Sequence, residues 1–177
     1  SNNFNVLIQA AGTYRYRQGA QSAGALGTSI TATFPTATTA GNLLVAYYLS
    51  SASTGTVTAP TGWSIAKGPT TQTVVSYIFY KIASGSETTV IPSQVTSRTL
   101  YLAITEYSGF TGTPTLDVTD SNSVSGAATS LNTTATTGPS NTAQPALALA
   151  HWGNASPLGA TVSLTNSFNE DFAPQAV

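Results

Sequence analysis

The sequence predicts an all-β fold: a single domain over residues 1–177, built as an antiparallel, jelly-roll-like β-sandwich of about ten strands. Three observations predict it. No stretch of a dozen residues keeps apolar side chains at the i, i+3, i+4, i+7 positions of a helix face. Strand-like runs recur instead, separated by Gly, Pro, Asn and Ser about every 8 to 15 residues, the rhythm of a sandwich or jelly roll. The chain also carries 31 Thr and 21 Ser. Thr is β-branched and suits a pleated, half-buried surface.

In chain order the predicted strands are 4–11 (FNVLIQAA), 28–34 (TSITATF), 42–50 (NLLVAYYLS), 62–67 (GWSIAK), 74–83 (VVSYIFYKIA), 87–92 (ETTVIP), 98–108 (RTLYLAITEYS), 115–121 (TLDVTDS), 129–137 (TSLNTTATT), 145–152 (PALALAHW) and 160–164 (ATVSL). Strand 28–34 alternates, with Ile30, Ala32 and Phe34 inward and Ser29, Thr31 and Thr33 outward. The runs 43–49 and 146–150 are apolar at nearly every position and read as central strands covered on both faces, with Leu44, Ala46, Leu147 and Leu149 buried. Strand 98–108 places Leu100, Leu102 and Ile104 on one face and Tyr101, Ala103, Thr105 and Tyr107 on the other, again both covered. Residues 18–27 (QGAQSAGALG) read as flexible, which makes 1–27 an N-terminal arm. Segment 121–142 is the loosest part of the chain. No strand is assigned to the segment NEDFAPQAV (169–177).

Charge and cysteine content narrow the function. Charged residues make up 6% of the chain, against about 25% in ordinary domains. Five scattered Lys and Arg with a net charge of −1 build no basic stripe, so nucleic acid is not an expected partner. The longest purely apolar run, 43–49, falls far short of the roughly 20 residues that span a bilayer, so no membrane insertion is expected. With no Cys there are neither disulfides nor thiolate metal sites. Low charge gives weak protection against association, which matters less inside an assembly. The chain begins at Ser1, contains no Met and shows no signal peptide. Loss of an initiator Met is the favoured reading, and cleavage of a leader is the other.

Four landmarks stand in order: TTAGNLLVAYY (38–48), TAPTGWSIAKG (58–68), IFYKIASGSET (78–88) and LAITEYSGF (102–110), followed by TLDVT (115–119). Together they resemble the Thr/Ser-rich β-sandwich domain of bacteriophage structural proteins, including minor tail proteins, and of bacterial surface proteins. The likeness covers about residues 4–152. It implies a structural or adhesive role and supplies no catalytic residues. Domains of this kind continue through further strands after the region matching 145–152, whereas here only 160–164 follows. A sandwich short of a strand exposes an edge that pairs with other chains.

The candidate sites follow from these limits. His151 is the single base available to a Ser–His–acid triad, and no GxSxG elbow accompanies it. Glu87, Glu106, Asp117, Asp120, Glu170 and Asp171 are scattered, with nothing that marks a glycosidase pair. No catalytic residue and no cofactor are expected. Asp117, Asp120 and Asn122 have oxygen ligands for Ca²⁺, but turn chemistry is the simpler reading of DVTDSN, and no metal is expected. Trp63, His151 and Trp152 are candidates for a surface glycan, although Trp63 also reads as a buried strand-entry residue. The remaining candidate is TYRYR. In a strand, Tyr14 and Tyr16 share one face, and Arg15 and Arg17 the other. Two of five cations on one short segment suit a subunit contact, because the planar Arg fork pairs and stacks well at interfaces. A plain outward-facing strand and a ligand site are the alternatives. The expected function is a non-enzymatic virion protein, decorating the capsid or forming part of the tail, that acts as a repeated subunit. Its partners are then other virion proteins or copies of itself. A secreted or cell-surface adhesin, a carbohydrate-binding module and a strand-donating filament subunit are the alternatives.

Overall fold

The computed structural model describes residues 2–8, 14–52, 54–71, 74–110, 112–116, 147–152 and 169–175. Among them there is no helix, and every strand pairing is antiparallel. The strands are β1 (Asn2–Ile8), β2 (Arg15–Ser29), β3 (Ala32–Thr33), β4 (Leu43–Ser50), β5 (Val57–Thr58), β6 (Ser64–Thr71), β7 (Val75–Ile82), β8 (Thr89–Val90), β9 (Ser93–Ser108), β10 (Leu147–Trp152) and β11 (Asn169–Gln175). The main sheet runs β2-β9-β4-β7-β6, with β5 also paired to β9. A second sheet runs β10-β1-β11, and β3 pairs β8.

The double apolar pattern of β4 and β9 explains why they sit side by side in the middle of the main sheet. Leu44, Ala46 and Tyr48 of β4 and Leu100, Leu102 and Ile104 of β9 face one cluster, together with Val75, Tyr77 and Phe79 of β7. Ile30, Ala32 and Phe34, with Val90, complete that cluster, as the alternation of 28–34 predicts; Ser29, Thr31 and Thr33 are exposed. The opposite side chains, Val45, Tyr47 and Leu49 with Tyr101, Ala103 and Tyr107, form a second cluster. Leu147 and Leu149 of β10 pack against it, half-buried. Both faces of the central strands are thus covered, and Tyr101 completes the second cluster by donating to Gln21 Oε1 at 2.9 Å.

Four expectations are corrected. Residues 18–27 are no flexible arm: they form the middle of β2, a 15-residue strand that among the described residues pairs along β9 alone. Small side chains hid this strand, because Gly, Ala and Ser resemble a linker in composition. The run 146–150 lies in β10, which among the described residues pairs only β1 and so is an edge strand, not a central one. The tail carries β11, paired to β1 despite its two acidic residues. Thr115 and Leu116 lie outside any strand. Residues 117–121, 129–137 and 160–164, and the candidate ligands Asp117, Asp120 and Asn122, lie outside the described residues.

The second landmark is explained by turn chemistry. Trp63 N–H donates to Pro60 C=O at 3.0 Å, and Gly62 has φ 79°, which together make a type II turn with Gly where positive φ is required. Further along β6, Gly68 has φ 131°, and a Cβ there would lie 2.6 Å from Tyr77 Cδ1 and 2.9 Å from Ser76 C=O. Gly68→Ala is therefore expected to destabilise the fold by about 1–3 kcal/mol, the scale of strained and overpacked sites. Urea denaturation of the two proteins measures it.

Candidate functional site

Tyr14 precedes β2 and Arg15, Tyr16 and Arg17 open it, at the edge of the main sheet among the described residues. Tyr14 packs on Phe110 with ring centroids 4.7 Å apart, and Tyr16 meets Tyr107 edge-on at 6.1 Å. Both tyrosines therefore lie against the second cluster. Tyr14 is half-buried, Tyr16 remains 39% exposed, and Arg15 and Arg17 are exposed. Neither arginine has an ion pair with a described residue.

Simple alternation holds only to Tyr16. Tyr16 pairs Tyr107 and Gln18 pairs Glu106, which makes Arg17 the extra residue of a β-bulge. The bulge reverses the facing of the strand, so that Gln18 meets the polar end of the first cluster while Tyr16 stays with the second. A similar shift at Gly24, φ 73°, separates Ala23 from Ala25. Bulges and edge charges are devices that hinder continuous strand addition.

Gln18 leads to a second feature, two carboxylates that fasten the strap 36–42. Glu106 is almost wholly buried. Its Oε2 accepts from Gln18 Nε2 at 2.6 Å, and its Oε1 accepts from Thr39 N–H at 2.7 Å and Asn42 Nδ2 at 2.6 Å. The orientation of Gln18 follows from Thr36, whose backbone N–H can only donate and does so to Gln18 Oε1 at 3.0 Å. Glu106 thus faces obligate donors on both oxygens. Glu87 accepts from Lys81 Nζ at 2.7 Å, Thr38 Oγ1 at 2.5 Å, and the N–H and Oγ of Ser84 at 2.9 and 2.8 Å. Backbone bonds Thr38 N–H to Glu87 C=O, 3.2 Å, and Gly41 N–H to Ala83 C=O, 2.9 Å, complete the attachment. Three of the four landmarks in the sequence meet in this network, through Thr38, Thr39 and Asn42, through Lys81, Ser84 and Glu87, and through Glu106.

Burial of Glu87 by itself raises its pKa, but the Lys81 ammonium and the Thr38 and Ser84 hydrogen bonds outweigh it and hold the carboxyl well below the usual range. A folded pKa below the unfolded one, about 4.3, gives stability that is complete above that value and is lost as pH falls below it. The urea midpoint of Glu87→Gln is accordingly expected to fall less than that of the wild type between pH 6 and pH 3.

The other sequence-predicted residues do not join these groups. Trp63 is half-buried and packs against the first cluster, as strand-entry packing predicts. His151 and Trp152 belong to β10, opposite Phe4 and Asn3 of β1, and their side chains lie outside the described residues. Among the described residues no three His, Cys, Asp or Glu gather where a metal could bind. The role of Gln18 was not legible in the sequence, because it depends on a bulge that brings it opposite Glu106.

Comparison with known proteins finds no match: no family model, no curated protein and no solved structure is significantly similar to the chain. The likeness to phage and bacterial surface domains rests on the order of the landmarks alone.

Proposed function

We propose that the protein is a non-enzymatic structural subunit used in repeated copies, of the phage virion type, either decorating a capsid or forming part of a tail. In this reading its sheets stack as a jelly-roll-like β-sandwich, and the start of β2 touches a neighbouring subunit. One observation carries it: Arg15 and Arg17, two of the five cations in the chain, are exposed on a strand that is an edge among the described residues, beside the part-exposed ring of Tyr16. A fold that solvates itself with hydroxyls has no evident need of them there, whereas Arg and Tyr are the residues enriched at interfaces. The described carboxylates support the non-enzymatic part. Glu87 and Glu106 are engaged by strap and hairpin donors, which leaves neither placed as a general acid or base.

The test is incorporation into particles that lack the protein. Arg15→Ala with Arg17→Ala is expected to weaken incorporation at least about tenfold, while stability stays within about 0.5 kcal/mol as for other surface changes. Unchanged incorporation would return TYRYR to a plain edge strand. A protein found only as free monomer in the native source, in no particle, would overturn the reading as a whole.

A further inference from the structure

We propose that the contact surface at the start of β2 extends onto the strap, over Pro35, Thr36 and Ala37, and that Gln18 is the positioning residue that joins the two parts. The proposal rests on the repeated-subunit reading and gives its contact a second element.

The register places the strap and Arg15 on one side of the main sheet. Arg15 pairs Ser108, two residues along β9 from Glu106, and so shares the face of Glu106. The strap crosses that face, where Thr39 N–H and Asn42 Nδ2 reach the Glu106 carboxylate. Gln18 ties the strap to β2 at this point. Its Nε2 donates to Thr36 C=O at 3.1 Å and to Glu106 Oε2 at 2.6 Å. Its Oε1 accepts from Thr36 N–H and from Thr36 Oγ1, both at 3.0 Å. One side-chain amide thus meets both backbone groups of Thr36, the donor and acceptor pattern of a strand bridge.

This clamp does more than satisfy buried groups. Thr36 is exposed, so water could serve its N–H and C=O if Gln18 were absent. What water could not do is hold Thr36 in place. Gln18 also directly follows Arg17, the extra residue of the bulge, so the same amide anchors one side of the segment that carries the arginines. Pro35, Thr36 and Ala37 are all exposed, as are Arg15 and Arg17. A loop and a bulge fixed before binding lose less freedom on binding. The surface so formed fits a neighbouring subunit that sets carboxylates against the guanidiniums and a flat, weakly apolar area against Pro35 and Ala37.

The experiment measures incorporation of the full chain into particles that lack the protein, with Arg15→Ala plus Arg17→Ala as the reference. Ala37→Tyr puts bulk on the exposed strap and is expected to lower incorporation at least about fivefold, because shape complementarity is lost there. Gln18→Met keeps the volume, strips the amide and leaves both arginines in place. It is expected to lower incorporation at least about threefold through lost preorganisation, and to speed exchange of the Thr36 amide in the free protein. Leu44→Ala weakens the core without touching the strap and is expected to incorporate like wild type at a temperature where circular dichroism shows every variant folded. Ala37→Gln and Gln18→Asn, which is one methylene short, replace any variant that unfolds. If Ala37→Tyr incorporates like wild type while the arginine pair does not, the strap lies outside the contact, and the inference falls with the subunit reading intact. If Gln18→Met loses no more than Leu44→Ala, Gln18 only stabilises the fold, and its positioning role is overturned. If the arginine pair itself incorporates like wild type, the β2 contact on which the inference rests is wrong.

Discussion

Glu106→Leu is expected to destabilise the protein by about 3–5 kcal/mol, the scale of removing one partner from a buried charged network. Leucine keeps roughly the volume but strips the acceptors from Gln18, Thr39 and Asn42 at once. Each orphaned donor costs about 1–3 kcal/mol to the extent that water cannot replace the lost acceptor. Glu106→Gln is expected to cost about 1–3 kcal/mol, because its amide must turn an N–H toward at least one group that can only donate. The order Leu worse than Gln, and Gln worse than wild type, is read from urea midpoints at pH 7. A neutral Glu106→Gln would show that the carboxylate charge is dispensable and that the strap is held by shape.

Leu44→Asp is expected to leave no folded protein. Leu44 is fully buried in the first cluster, between Lys81 of β7 and Glu106 of β9 in register. An uncompensated carboxylate there costs at least several kcal/mol, and domains of this size have about 5–15 kcal/mol in total. Leu44→Ala provides the comparison, losing about 2–5 kcal/mol yet folding. Loss of near-ultraviolet circular dichroism in the Asp variant, with its retention in the Ala variant, is the expected pair of results.

The fold was legible where burial imposed a pattern. Strand 28–34 alternates because one face meets a core, and β4 is continuously apolar because both faces do. Reading fails where burial is slight or where geometry breaks the period. The strand over 18–27 reads as a linker because it is built of Gly, Ala, Ser and Gln with a single large apolar residue, Leu26. Alternation placed Tyr14 and Tyr16 against the core, but the bulge at Arg17 that brings Gln18 opposite Glu106 has no sequence signature beyond the polar residue itself. The two glutamates were visible as isolated acids. That they fasten one strap depends on contacts between residues 49 and 67 positions apart in the chain, which no local pattern reports.

Hydrogen exchange measured on the assembled and the free protein tests the central claim most directly, that the start of β2 is a contact between subunits. Assembly is expected to slow exchange over residues 14–18, with the core of β4 and β9 unchanged. Protection appearing elsewhere, for example along β6 at the other end of the main sheet as described, with residues 14–18 exchanging equally fast in both states, would contradict it.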